Sequence, residues 1–135
     1  MNLIAENAVS QGMVLASLIG GFALACIAQL VAAFPASNRS AEDPSISAAV
    51  TWLAVSATVM MINVWSGIIF FMDDGADRPA IARVFYGGLF LGVAFFALGM
   101  AETVSIRSPR LRRPILIMFG GLLVAEVLLG FAYLR

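Results

Sequence analysis

The sequence predicts an all-α integral membrane protein, with four transmembrane helices in an up-down bundle. Three observations predict it. Sixty-one per cent of the 135 residues are hydrophobic and 12% are charged, where a soluble domain runs near half apolar and about a quarter charged. The apolar residues fall into four runs, each near the ~20 residues that cross a bilayer at ~1.5 Å rise per residue. The segments between the runs are short, which makes successive helices antiparallel neighbours.

The first run, Met13 to Phe34, has Gln29 as its one polar side chain of consequence and stops at Pro35 in PASNRSAEDP. Met1 to Ser10 holds no Lys or Arg, and the run after it is too long for the core of a signal peptide, so it reads as a retained first helix. The second run, Ile46 to Phe71, follows Asp43-Pro44, a cap and first-turn pair, and ends at MDDGADRP, where Gly75 and Pro79 break a helix. Asp73, Asp74 and Asp77 in that segment lack the length and closing Glu of a calcium loop and read as a solvated turn. The third run, Val84 to Ala101, is shorter and closes at Glu102; a three-span alternative has this run only partly inserted. The fourth, Ile115 to Leu134, starts after Pro114 at a first-turn position.

Arginine distribution orients the bundle. The third connection carries Arg107, Arg110, Arg112 and Arg113, and the first carries Arg39; Arg78, Arg83 and Arg135 lie at the other side. Cationic residues stay cytoplasmic, so the Arg-rich end faces the cytoplasm and both termini lie outside, in a cell inner (plasma) membrane. Basic residues that are all Arg, with no Lys, are compatible with a bacterial GC-rich genome. The four Arg residues of the third connection are topology charges first, and contacts to anionic lipid head groups second.

A faint repeat relates the halves of the chain. LIGGFALA (Leu18 to Ala25) and FYGGLFLG (Phe85 to Gly92), with Arg39-Ser40 and Arg107-Ser108 behind them, recur 67 to 68 residues apart. Two tandem helical hairpins would leave such a trace; chance recurrence in an apolar sequence is the favoured explanation.

Helices in lipid associate through small residues and polar contacts. Gly12, Ala16, Gly20 and Ala23 share one face of the first helix; Gly88, Gly92 and Gly99, with Phe95 and Glu102, share one face of the third. Gly121, Ala125 and Ala132 make a looser stripe on the fourth. All are expected to be buried against other helices. Trp52, Trp65, Tyr86 and Tyr133 read as interfacial anchors.

Three polar residues are the candidate intramembrane site. Glu126 lies near mid-span in the fourth helix, where a carboxylate must face protein or water. Asn63, with Ser56 and Ser66 near the same face, needs a hydrogen-bond partner. Glu102, toward the Arg-rich end, has Arg107 within reach and reads first as a helix-end charge. Cys26 is alone and reads as a small hydrophobe.

The chain has no histidine, which argues against a resident haem, a pigment or a zinc or copper centre, so no cofactor, metal or catalytic residue is expected. No nucleophile and base come together, so an enzyme is the least favoured class. Zero net charge gives no reason to expect nucleic acid. In size and helix number the chain is similar to small multidrug transporters and fluoride channels, but the first span lacks the Glu of the former and the polar motifs of the latter are missing. The favoured reading is a non-catalytic accessory subunit of a larger membrane complex, such as an energy-converting one, with lipids and other transmembrane subunits as partners. The alternative is a small homo-oligomeric ion or proton-coupled transporter or channel using Glu126.

Overall fold

The computed structural model describes residues 3–33, 44–73 and 77–133, with side chains over 6–33, 44–73 and 77–125. The described residues form four α-helices: α1 (Leu3–Ala33), α2 (Pro44–Met72), α3 (Arg78–Arg107) and α4 (Arg112–Tyr133), with a 3-10 turn, Pro109–Leu111, between the last two. Three of them, over Glu6–Ala33, Pro44–Met72 and Arg78–Arg107, are long and apolar enough to cross a membrane.

These helices outrun the apolar runs that announce them. The third run predicts a short helix, yet α3 has 30 residues. At ~1.5 Å per residue that is about 45 Å, half as long again as the ~30 Å hydrocarbon layer. Hydropathy marks only the part of a helix that suits lipid. Polar turns on either side continue the backbone ladder, as Thr103 to Arg107 do here. The third run, which the three-span alternative leaves only partly inserted, thus lies in a helix long and apolar enough to cross a membrane.

The helix ends follow local chemistry. Asp77 caps α3 without a side-chain hydrogen bond; its carbonyl instead accepts the backbone N–H groups of Ala80 and Ile81. Pro79 sits inside the first turn of α3 rather than ahead of it, where its missing N–H is no loss. Ser108 ends the helix by donating its N–H to the Val104 carbonyl, and Pro109 prevents continuation. Pro114 is the third residue of α4 rather than the first, because α4 begins at Arg112. Asp43, Asp74, Gly75 and the Arg39-Ser40 pair lie outside the described residues.

Packing is uneven. The broadest interface is α2 against α3, then α1 against α2, with a smaller α1–α3 contact. Among the described residues α4 packs on α3 and the preceding turn, and on neither α1 nor α2. The arrangement is thus a three-helix core with α4 added on the outside of α3, rather than an even four-helix bundle. The core lies along one seam of α2: Ala49, Leu53, Ser56, Met60, Asn63, Gly67 and Phe70. Steps of four and three alternate in that series, a 3.5-residue period that keeps one stripe against its neighbours at a shallow crossing. At the Arg-rich end the seam meets Ala23 and Leu30; at the other end it meets Val9 and Phe85.

Candidate functional site

The α2–α3 seam is where most of the predicted small-residue faces and one predicted polar residue come together. Each glycine of α3 on this face receives one α2 side chain, in antiparallel order: Gly99 meets Leu53, Gly92 meets Met60, and Gly88 meets Asn63. A Cβ at Gly99 would stand 2.7 Å from Leu53 Cγ and 3.1 Å from its backbone nitrogen. Close backbone approach also lets Ser56 Oγ donate to the Gly92 carbonyl across the interface at 2.8 Å. On α1, Gly12 abuts Phe85, Gly20 abuts Met60, and Ala16 and Ala23 are fully buried. The predicted faces of α1 and α3 are therefore occupied within the chain.

The stripe on α4 is not. Gly121 is exposed, with nothing among the described residues within 4 Å of its would-be Cβ, and Ala125 is exposed. The reason is that α4 meets α3 with its large residues: Ile115, Leu116, Phe119 and Leu123 are its half-covered positions, and Phe119 makes an edge contact with Phe96 at 6.4 Å. Gly120, beside Gly121, also meets nothing among the described residues.

Asn63 is 2% exposed and lies over Gly88, so closely that a Cβ there would collide with its amide. Its Nδ2 has no hydrogen-bond partner among the described residues. The expected helix–helix bond is made by Ser56 instead. Ser66, expected nearby, donates back to the Ile62 carbonyl of its own helix. Since α2 and α4 do not touch among the described residues, nothing there brings Asn63 toward the fourth helix. Glu126 lies in α4, and its side chain is outside the described residues.

Glu102 forms an ion pair with Arg112, not with Arg107. Five residues carry Arg107 well round the helix from Glu102 (~100° per residue), whereas the 3-10 turn folds Arg112 back over it. Ser105 Oγ supports the same carboxylate at 3.4 Å. Arg107, Arg110 and Arg113 are exposed.

Sequence reasoning missed a second ion pair at the opposite end. Arg78 Nη1 lies 3.3 Å from Glu6 Oε1, and Arg78 Nε donates to the Phe70 carbonyl at 3.2 Å. The same guanidinium lies 5.0 Å from the Phe70 ring centroid. One side chain thus ties α1, the last turn of α2 and the first turn of α3, and satisfies one of the carbonyls that a helix end leaves free. The available signal was the placement of Glu6 and Arg78 at the same end of an antiparallel arrangement. Trp52 stacks on Phe95 at 5.6 Å between centroids, and Trp65 is exposed.

The half-chain repeat can be tested at its glycines. Gly20 meets Met60 while its counterpart Gly87 meets nothing; Gly21 meets nothing while its counterpart Gly88 meets Asn63. Equivalent positions do opposite jobs, so the similarity does not extend to packing. Cys26 is half-buried against Met100, with 3.9 Å between the sulfurs, as a small packing residue. No family model, curated protein or solved structure matches the chain.

Proposed function

We propose that the chain is a four-span protein of a bacterial inner membrane that serves as a non-catalytic accessory subunit of a larger membrane assembly. Large apolar side chains face outward along every helix, Leu18 and Phe22 on α1, Ile62 and Trp65 on α2, Leu91 on α3 and Ile117 on α4 among them, and lipid is the solvent that accepts them. In this reading α4 is the fourth span, the Arg-rich end faces the cytoplasm and both termini face outward.

The observation that carries the subunit role is the open face of α4. The small-residue faces of α1 and α3 have partners within the chain; Gly120 and Gly121 have none among the described residues. Small residues on a lipid-exposed helix let another backbone approach closely. A helix of another protein is the occupant this reading assigns to that face, and an energy-converting complex is one setting for it. Extraction of native membranes in mild detergent, then a native gel with mass spectrometry, tests it. The expected band contains larger proteins at fixed ratio, and Gly121→Ile releases the chain from it while the isolated chain keeps its helicity. A band containing this chain alone refutes the role.

A second reading, a small homo-oligomeric transporter or channel, is supported by the buried Asn63 amide with its unpartnered donor and by Glu126 in the fourth helix. It requires that Glu126→Gln abolish ion or proton flux in liposomes with folding intact.

A further inference from the structure

We propose that Arg107, Arg110 and Arg113 form a binding site for the headgroup of an anionic membrane phospholipid, with its acyl chains along α4. This inference rests on membrane placement, not on the subunit role.

The site is built by the turn between α3 and α4. Arg107 is the last residue of α3, Arg110 lies in the 3-10 turn and Arg113 is the second residue of α4. The turn is held by the Leu111 N–H donating to the Ser108 carbonyl at 3.0 Å. Pro109 and Pro114 restrict its backbone further. Three guanidinium groups are thereby kept within seven residues on a defined scaffold.

Their charge has no internal counterpart among the described residues. Glu102 is the only described acid at this end, and Arg112 already engages it. Glu6, Asp73, Asp77 and the Arg78 pair lie at the opposite end. Across the whole sequence this end carries Arg39 and the four Arg residues of the turn against Glu42, Asp43 and Glu102, so an excess of positive charge remains. Arg112 is thus set apart from its neighbours: it holds α4 to α3, while the other three point their charge outward.

The surface beyond the turn is what makes a lipid the occupant. Leu111 in the turn and Met118 and Leu122 on α4 are exposed, and the last two stand one helical turn apart on the same side. That side lies opposite Gly120 and borders Gly121 and Ala125, so the acyl chains lie alongside, not in place of, a partner helix on that stripe. Phosphate oxygens at the turn and hydrocarbon along α4 match a phospholipid from headgroup to chain; a soluble anion would leave the apolar part uncovered. Guanidinium is suited to phosphate because its planar donors pair with two oxygens at once.

The test uses the full-length chain in mild detergent, where membrane orientation has no influence. Phosphatidylglycerol and phosphatidylcholine of the same acyl chains are titrated in, and bound lipid is read by native mass spectrometry and by thermal shift. At about fivefold per Arg near an anionic surface, three residues give a preference for phosphatidylglycerol on the order of 100-fold at low salt. The Arg107→Gln, Arg110→Gln, Arg113→Gln triple variant is expected to lose that preference, as is the wild type in high salt. Arg83→Gln, at the other end, is expected to keep it. If the triple variant fails to fold, Arg110→Gln alone is expected to reduce the preference severalfold. Equal binding of the two lipids by the wild type, or an unchanged preference in a folded Arg variant, overturns the proposal. Full displacement of phosphatidylglycerol by millimolar inorganic phosphate overturns it too, because the site would then be one for a soluble anion.

Discussion

At the residue scale, glycines of one sequence type divide into two physical classes. Replacing a helical Gly by Ala gains up to ~1 kcal/mol of helix propensity where there is room, and overpacking a tight contact costs about 1–3 kcal/mol. Gly21 and Gly87 have open space, whereas Gly99 faces Leu53, backbone nitrogen included, and Gly88 faces a fixed amide. Gly99→Ala and Gly88→Ala are therefore expected to lower the thermal midpoint in detergent, and Gly21→Ala and Gly87→Ala to leave it unchanged or raise it slightly. A uniform response from all four would contradict the α2–α3 seam. Gly92 is a softer case, because the atoms it would meet are the far end of Met60.

Asn63 offers a second test at this scale. A buried donor without a partner costs about 1–3 kcal/mol, so removing it offsets much of the packing lost on truncation. Asn63→Ala is expected to destabilise by less than about 1 kcal/mol, while Leu53→Ala, equally buried, costs about 2–5 kcal/mol. Measured side by side in a denaturant series, equal losses would mean that the amide is bonded after all.

At the scale of the helices, two ion pairs have different roles. Glu6–Arg78 joins three elements, α1, α2 and α3, through one guanidinium. Glu102–Arg112 joins α4 to α3 alone. Partly exposed pairs are worth about 0–1 kcal/mol, so neither decides whether the chain folds. What they govern is local opening. Glu102→Gln is expected to speed hydrogen exchange in α4 while α1, α2 and the middle of α3 keep wild-type protection. Glu6→Gln is expected to speed exchange in the first turns of α1 and α3 and spare α4. Mass spectrometry of proteolytic fragments separates the two patterns, and a change spread evenly over all four helices would exclude the peripheral placement of α4.

For the whole molecule, the charged residues outside α4 sit toward the two ends, and the interiors of α1, α2 and α3 are free of them; Glu126 in α4 is the exception. No Asp, Glu, Lys or Arg occurs in 7–33, 44–72 or 84–101. A four-span topology with the Arg-rich end in the cytoplasm predicts a labelling pattern. In a Cys26→Ala background, a cysteine placed at Arg110 is expected to react with an impermeant maleimide only after the inner face is opened. A cysteine placed at Asp77 is expected to react from outside in intact cells. The reverse pattern would invert the orientation; labelling of both from one side would reduce the span number from four.

Much of this was legible in the amino-acid order, because it depends on local quantities. Helical class, the number of helices and the small-residue faces of α1 and α3 follow from composition and from the 3.6-residue period, which every segment carries by itself. The seven-residue pattern on α2, in Ala49, Ser56, Asn63 and Phe70 alongside Leu53, Met60 and Gly67, is equally present in the sequence, but its mix of polar and apolar members gives it no hydrophobic contrast. Three matters were decided only by the tertiary structure. Which small-residue faces are filled depends on where other helices lie, so Gly88 and Gly121 look alike in sequence and differ in surroundings. The partner of Glu102 depends on how a 3-10 turn reverses the chain, which brings Arg112 back where Arg107 cannot reach. The uneven bundle, with α4 on α3 alone, depends on the fit of Phe119 and its neighbours against one helix. Periodicity states which side of a helix seeks a partner; only three-dimensional packing determines whether the partner is in the same chain.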